Sequence, residues 1–417
     1  MKKDYTISII IIGALFFVFG FITWLNATLI PYLKISCELT TVESYFVTFA
    51  FYISYFVMAI PSSKILERTG YKRGMSLGLA VMAIGALIFI PAAITRTYQL
   101  FLLGLFVQGT GLSLLQTASN PYVTILGPIE SAAKRISIMG LANKLAGIIS
   151  PIILGTIVLN GIDKIKEHVA TIDATAKAAE LDVLSHKVIF PYVIIAISLT
   201  VLAVVIIYTK LPDIKNEDTT TDDKQAIRKN IFQFPYLVLG VIALFLYVGV
   251  EVLAVDTLIN YGKYLGFEFT EAKFFSSYTL FAMILGYLFG IITIPRYISQ
   301  ANALKYFAIL GVIFSSIAIF SGNAFTSILM IASLGFANSL MWPAIWPLAI
   351  NNLGKFTKTG SALLIMAIAG GALLPLLYGY LSETEIFNNQ TAYFIFIPSY
   401  LFILFYAAKG YKIGQVK

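Results

Sequence analysis

The sequence predicts an all-α membrane protein of twelve transmembrane helices in two six-helix halves. Three observations carry that prediction. Apolar residues make up 59% of the 417-residue chain and charged residues 12%, where soluble domains carry about 25% charged residues. Apolar runs of about 18 residues or more, long enough to cross a bilayer, recur along the whole chain. The second half of the sequence also echoes the first in order and direction.

The expected spans run near 7–33, 43–66, 72–94, 98–125, 136–160, 188–209, 232–260, 273–294, 303–321, 324–350, 360–381 and 391–408. The first follows Met1, Lys2, Lys3 and Asp4 directly. It is too long for a signal-peptide core and lacks a convincing cleavage site, so it reads as a retained span. Basic residues then fix the topology. With the N-terminus inside, twenty Lys and Arg fall in inside loops and tails and eight fall outside, leaving Lys144 within a span. This is the positive-inside asymmetry, and it puts both termini in the cytoplasm. Two polar segments interrupt the pattern. Residues 161–187 lie outside and read as an amphipathic or helical hairpin insertion. Residues 212–230 lie inside and have the composition of a linker. The domains are therefore residues 1–210, a cytoplasmic linker 211–230, and residues 231–417.

The echo is clearest around spans four and ten. Gln116, Asn120-Pro121 and Gly127 align with Trp342, Trp346-Pro347 and Gly354. Ile138-Met139 to Pro151 and Gly155 align with Ile365-Met366 to Pro375 and Gly379, about 225 residues later. Internal repeats of half a chain are a common way to build a transporter.

Several function classes are excluded. The net charge of +8 lies almost wholly in loops between spans, so it does not point to nucleic acid. No Gly-Lys-Ser/Thr phosphate loop occurs, and Gly109-x-Gly111 lacks the rest of a dinucleotide fingerprint. His168 and His186 have no metal spacing. Cys37 is the only cysteine, so no intrachain disulfide can form. No catalytic residue is assigned, and the chain reads as a non-enzyme.

Particular motifs resemble a known family. The loop Ser63 to Arg73 is similar to the signature between spans two and three of the major facilitator superfamily, with Ser63 and Glu67 departing from it. Further matches resemble the fucose/galactose/glucose symporter family. They are Leu25-Asn26-x-x-Leu29-Ile30-Pro31, Gly70-Tyr71-Lys72-Arg73-Gly74, Gln116-Thr117-Ala118-x-Asn120-Pro121, Tyr247-Val248-Gly249-x-Glu251 and Lys409-Gly410-Tyr411-Lys412. The resemblance covers nearly the whole chain. It implies the major facilitator fold and hexose uptake across a bacterial inner membrane. The chain departs from the fucose–proton members at three places. Their proton-linked Asp in span one is Ala27 here, the span-four Glu of some members is Gln116, and Lys144 follows Asn143 where relatives have a small residue.

A sugar offers hydroxyls to amide side chains and a C–H face to aromatic rings. The substrate candidates are therefore Asn26, Gln116, Asn120, Asn143, Asn338, Trp342 and Trp346. Asn338, Trp342 and Trp346 are spaced by four and share a helix face, as do Gln116 and Asn120. Helix packing is the competing role for each, and for Trp24 beside them. The coupling or ion candidates are Lys144, Glu251 and Asp256, since acids at membrane depth persist only when paired, protonated or cation-bound. Glu251 and Asp256 point about 140° apart on a helix of about 3.6 residues per turn, so they are not expected to share one ligand.

The first reading is a secondary active transporter for a hexose (glucose, galactose or mannose) working as a monomer by alternating access. It needs no cofactor beyond a coupling ion, sodium or proton. The partners are a monosaccharide and the lipid bilayer. An uncoupled uniporter and an L-fucose symporter are the alternatives within this class, and an exporter of hydrophobic compounds is the alternative outside it.

Overall fold

A computed structural model describes residues 2–125, 132–169, 171–209, 230–294, 296–353 and 356–415. Within it the apolar runs form helices. Eleven are long and apolar enough to cross a membrane: Ile9–Ser36, Thr41–Ile94, Tyr98–Ser119, Ile138–Val158, Ala174–Tyr208, Pro235–Asp256, Phe269–Thr293, Gln300–Phe320, Ala324–Ile350, Thr359–Ser382 and Thr391–Ala408. The second has 54 residues. At about 1.5 Å per residue that is roughly 80 Å, more than twice a hydrocarbon core. It turns at Gly70, where φ is 73° and ψ 170°, a backbone conformation that glycine adopts without steric cost. The long helix is thus spans two and three, giving twelve. The turn falls within the charged stretch from Lys64 to Arg73.

Spans one, seven and ten break within their length, and span eleven carries a 3-10 turn at Ala367–Ala369 between its two helices. Span one is interrupted at Leu25, between helices Lys2–Trp24 and Asn26–Ser36. Span seven ends its first helix at Asp256 and resumes at Leu258–Tyr264. There the Thr257 hydroxyl donates to the Leu253 carbonyl at 2.6 Å, competing with the helix's own ladder. Span ten breaks between Asn338 and Met341. Pro343 has no N–H to offer the Ser339 carbonyl one turn back, so a continuous helix would leave that acceptor unpaired.

The packing of spans repeats with a shift of six. Span one packs on five and seven on eleven; spans two and three pack on four as eight and nine do on ten; span three packs on six and nine on twelve. The crossing of spans one and five is so close that a Cβ on Gly20 would lie 1.9 Å from the Asn143 carbonyl oxygen. The halves meet through spans two with eleven and five with eight, a pair of contacts that exchange under the same six-span shift.

Residues 161–187 form two short helices, Ile162–Val169 and Ala174–His186, at one end of the bundle. Among the described residues, polar contacts between the halves run from this hairpin end to mid-bundle. Asp163 meets Lys263 at 2.8 Å and the Phe269 N–H at 3.0 Å. Glu383 accepts from the Thr41 and Val42 backbone. Below these come Thr48 to Asp256, Ser277 to the Ile148 carbonyl, and Lys144 to Glu251. Residues 210–229, which hold nearly all of the expected linker, lie outside the described residues.

Candidate functional site

A cavity of about 150 Å³ opens between the halves at mid-bundle. Spans one, two, four and five line it from the first half, through Phe16, Phe19, Thr23, Trp24, Tyr52, Tyr55, Gln116, Ile136, Gly140, Asn143 and Lys144. Spans seven, eight, ten and eleven line it from the second, through Tyr247, Val248, Glu251, Val252, Tyr287, Trp342, Pro343 and Ile368. Eight of these residues are Phe, Tyr or Trp with a flat face, and two amides and one ion pair stand among them. A mostly apolar cleft with sparse, convergent polar groups is the usual form of a small-molecule site.

The polar groups form two linked sets. The Gln116 amide Nε2 donates to the Tyr55 hydroxyl at 3.0 Å, leaving its carbonyl oxygen for a ligand. Trp24 Nε1 donates to Asn143 Oδ1 at 3.3 Å, and Asn143 Nδ2 donates to the Phe16 carbonyl at 3.4 Å. Those bonds fix the amide against span one where the two helices cross. The next residue, Lys144, is buried and reaches across the cavity wall to Glu251, Nζ to Oε1 2.7 Å. Its ammonium also lies 4.2 Å from the centre of the Trp24 ring, within cation–π range. One positive charge from the first half therefore neutralises one acid from the second.

Trp342 faces the cavity and Trp346 stacks behind it, ring centres 5.4 Å apart and planes 23° apart. Tyr247 flanks Trp342 at 6.5 Å. Gln116 and Trp342, aligned by the internal repeat, thus stand on opposite sides of one cavity.

The remaining candidates lie elsewhere. Asn338 is fully buried behind the cavity, its Oδ1 accepting from the Tyr400 hydroxyl at 2.9 Å. The shared face expected for Asn338, Trp342 and Trp346 is interrupted because span ten is two helices, so only Trp342 and Trp346 keep that spacing. Asn26 is 1% exposed at the break in span one and does not line the cavity. The side chain of Asn120 lies outside the described residues. Asp256 is fully buried, away from the cavity, and accepts from the Thr48 hydroxyl at 3.0 Å. Glu251 and Asp256 do point to different surroundings, as their five-residue separation requires.

Sequence reasoning missed Phe16, Phe19, Tyr52, Tyr55, Tyr247 and Tyr287. Aromatic residues are 14% of the chain, and nothing in helical periodicity separates a cavity-facing ring from a packed one. The usable signals were spacing beside polar candidates: Tyr247 stands one turn before Glu251, and Tyr52 and Tyr55 are three apart.

Twelve spans in two halves related by a six-span shift, with a cavity where they meet at mid-bundle, define a secondary-transporter architecture. The sequence matches the family model described as Major Facilitator Superfamily over residues 12–378. It is 36% identical over 99% of its length to the glucose/galactose transporter of Brucella abortus (strain 9-941), covering 96% of that protein. It is 29% identical over 92% of its length to the L-fucose-proton symporter of Escherichia coli K12, covering 88%. A crystal structure of the transporter FucP in the outward conformation superposes with a TM-score of 0.76 at 27% identity, over 99% of this chain and all of that one. The chain belongs to the major facilitator superfamily and, within it, to the fucose/galactose/glucose symporter family.

Proposed function

We propose that this protein carries a hexose (glucose, galactose or mannose) unchanged across the bacterial inner membrane, by alternating access of residues 1–210 and 231–417 about the linker 211–230. The observation that carries the reading is the cavity: Trp342 offers a ring face, and Gln116 and Asn143 offer amides, at the level where the halves meet. In that pose the sugar's C–H face lies on Trp342 and its hydroxyls exchange water for the two amides. The glucose/galactose transporter relative supports a hexose over L-fucose. Ala27 and Gln116, which replace the acids of the fucose–proton members, weigh the same way. An exporter of hydrophobic compounds would gain nothing from the amides.

Uptake of labelled glucose, galactose, mannose and fucose into proteoliposomes, with sodium and pH gradients imposed separately, tests this. One of the first three should accumulate. Trp342→Ala, Gln116→Ala and Asn143→Ala should each weaken binding of that sugar about tenfold or more, roughly 1.4 kcal/mol or above, while reaching the membrane in normal amount. Unchanged affinity in all three removes the site.

The basic-residue asymmetry places the hairpin end outside and both termini in the cytoplasm. The polar contacts between the halves then close the outer side. A cysteine placed at Lys177 should react with an impermeant thiol reagent in intact cells, and one placed at Asp222 should not; the reverse pattern inverts the topology.

A further inference from the structure

The cavity pair leaves one buried acid without a cation. Asp256 is 0% exposed, at membrane depth, between span seven of the second half and span two of the first. No Lys, Arg or His pairs with it among the described residues: Lys144 is committed to Glu251, and Lys34 donates to Thr41. Its Oδ2 accepts from Thr48, and its Oδ1 has no protein partner.

The groups around it are oxygen-bearing and under-used. The Tyr45 hydroxyl, also 0% exposed, faces Asn260 and lies within electrostatic range of Asp256 without reaching hydrogen-bond geometry to either. The Asn260 Nδ2 is likewise unpartnered, and turning that amide end for end would present its oxygen instead. Tyr52 also faces Asp256 from span two, and Tyr378 packs on Tyr45 from span eleven, ring centres 5.7 Å apart.

We propose that Asp256, Thr48, Tyr45 and Asn260 form a seat for one sodium ion. One carboxylate among neutral oxygens balances a single positive charge; a divalent ion would leave an excess charge in the membrane interior. Among the described residues no cluster of three or more His, Cys, Asp or Glu offers a transition-metal site. Several converging oxygens suit a hard cation, whereas a proton needs only one.

The seat is split between the halves: Tyr45 and Thr48 belong to the first, Asp256 and Asn260 to the second. Closing the hairpin end buries Asp256, and burying a bare carboxylate is strongly unfavourable. Sodium bound to Asp256 removes that barrier and gains the Thr48 and Tyr45 oxygens as the halves close. Glu251 needs no such ion, because Lys144 supplies its charge permanently. This inference rests on the sugar-transport reading for its consequence, coupling, but the seat itself is testable without sugar.

The test is equilibrium binding of radioactive sodium to the purified full-length protein in detergent, followed by uptake in proteoliposomes. Wild type should bind sodium, Asp256→Asn should not, and Thr48→Val should raise the half-saturating concentration several-fold, each variant checked for monodispersity. Thr48→Val is nearly isosteric, so it keeps the question open to measurement should Asp256→Asn misfold. Sodium should also tighten sugar binding about tenfold, within the roughly 5–150-fold span usual for coupled sites, and potassium should not. Sodium binding that survives Asp256→Asn overturns the seat. So does uptake driven by a pH gradient and indifferent to sodium, which would make Asp256 a proton carrier. If sodium binds at Asp256 but no hexose is carried, the seat stands and the sugar reading fails.

Discussion

Glu251 and Asp256 are two acids on one helix, five residues apart, both buried at membrane depth, and they solve the problem of their charge in opposite ways. Glu251 faces the cavity and has a covalently fixed counter-charge, Lys144, at 2.7 Å. Asp256 faces span two and has a hydroxyl at 3.0 Å and, among the described residues, no fixed cation. The first arrangement is permanent in composition and breaks only when the halves separate. The second is complete only when a mobile charge is present. An acid's identity therefore says little about its role in a transporter; what decides is whether its counter-charge comes with the chain or from solution.

The largest expected effect comes from breaking the permanent pair. Lys144→Ala leaves the Glu251 carboxylate buried with no cation, and removing one partner of a buried pair costs about 3–5 kcal/mol. Thermal stability in detergent should fall and sugar accumulation should be lost. Glu251→Gln should be milder, because the orphaned ammonium keeps the Trp24 ring, a contact of about 2 kcal/mol when desolvated. The double variant Lys144→Met with Glu251→Gln removes both charges and should recover most of the lost stability. Additive losses in the double variant would show that the two residues do not act on each other.

The same substitution chemistry at Asp256 should behave differently, and this sharpens the comparison. Asp256→Asn orphans no cation and keeps an acceptor for Thr48. In sodium-free buffer it should leave thermal stability unchanged or raise it, whereas Glu251→Gln lowers it. A fall at both positions would mean that Asp256 also has a fixed partner.

The contrast between these acids was only half legible in the sequence. Their spacing showed that they could not share a ligand, and the lone Lys144 within a span marked it as a partner for one of them. Which acid it meets depends on how spans five and seven approach across the two halves, which no local pattern encodes. The spans themselves were legible because bilayer length and loop charge are local properties. The charged stretch around Gly70 marked the turn that the helix pattern alone would have run through. The break in span ten was not anticipated: spacing by four assumes a continuous helix, and Pro343 ends that assumption between Asn338 and Trp342. Gln116 and Trp342 were legible through the repeat, since residues aligned in two related halves come to face each other across the axis between them.

The smallest effect tests whether the hairpin end is held by the same logic of fixed charge. Asp163 meets Lys263 and the Phe269 N–H there. Partial burial pushes its carboxyl up, but the hydrogen bonds from Lys263 and the Phe269 N–H, with the Lys263 charge, outweigh this and hold it below the ordinary Asp value. Because the value in the closed state is depressed, the contact's contribution is fully present above the ordinary Asp value of about 3.9. It is lost as pH falls through the depressed value. The pair is partly exposed, so solvent screens it, and Asp163→Asn should cost only about 1 kcal/mol, roughly fivefold in the ratio of closed to open. Val183 and Ile386, both exposed at this end, can carry spin labels once Cys37 is replaced by Ser. Asp163→Asn should shift their distance distribution toward longer values at neutral pH, and acid below about pH 4 should do the same to the wild type while adding little to the variant. If the distances in the variant match the wild type at neutral pH, the outer contact does not hold the halves together, and closure rests on the packing of spans two and eleven and on the ion at Asp256.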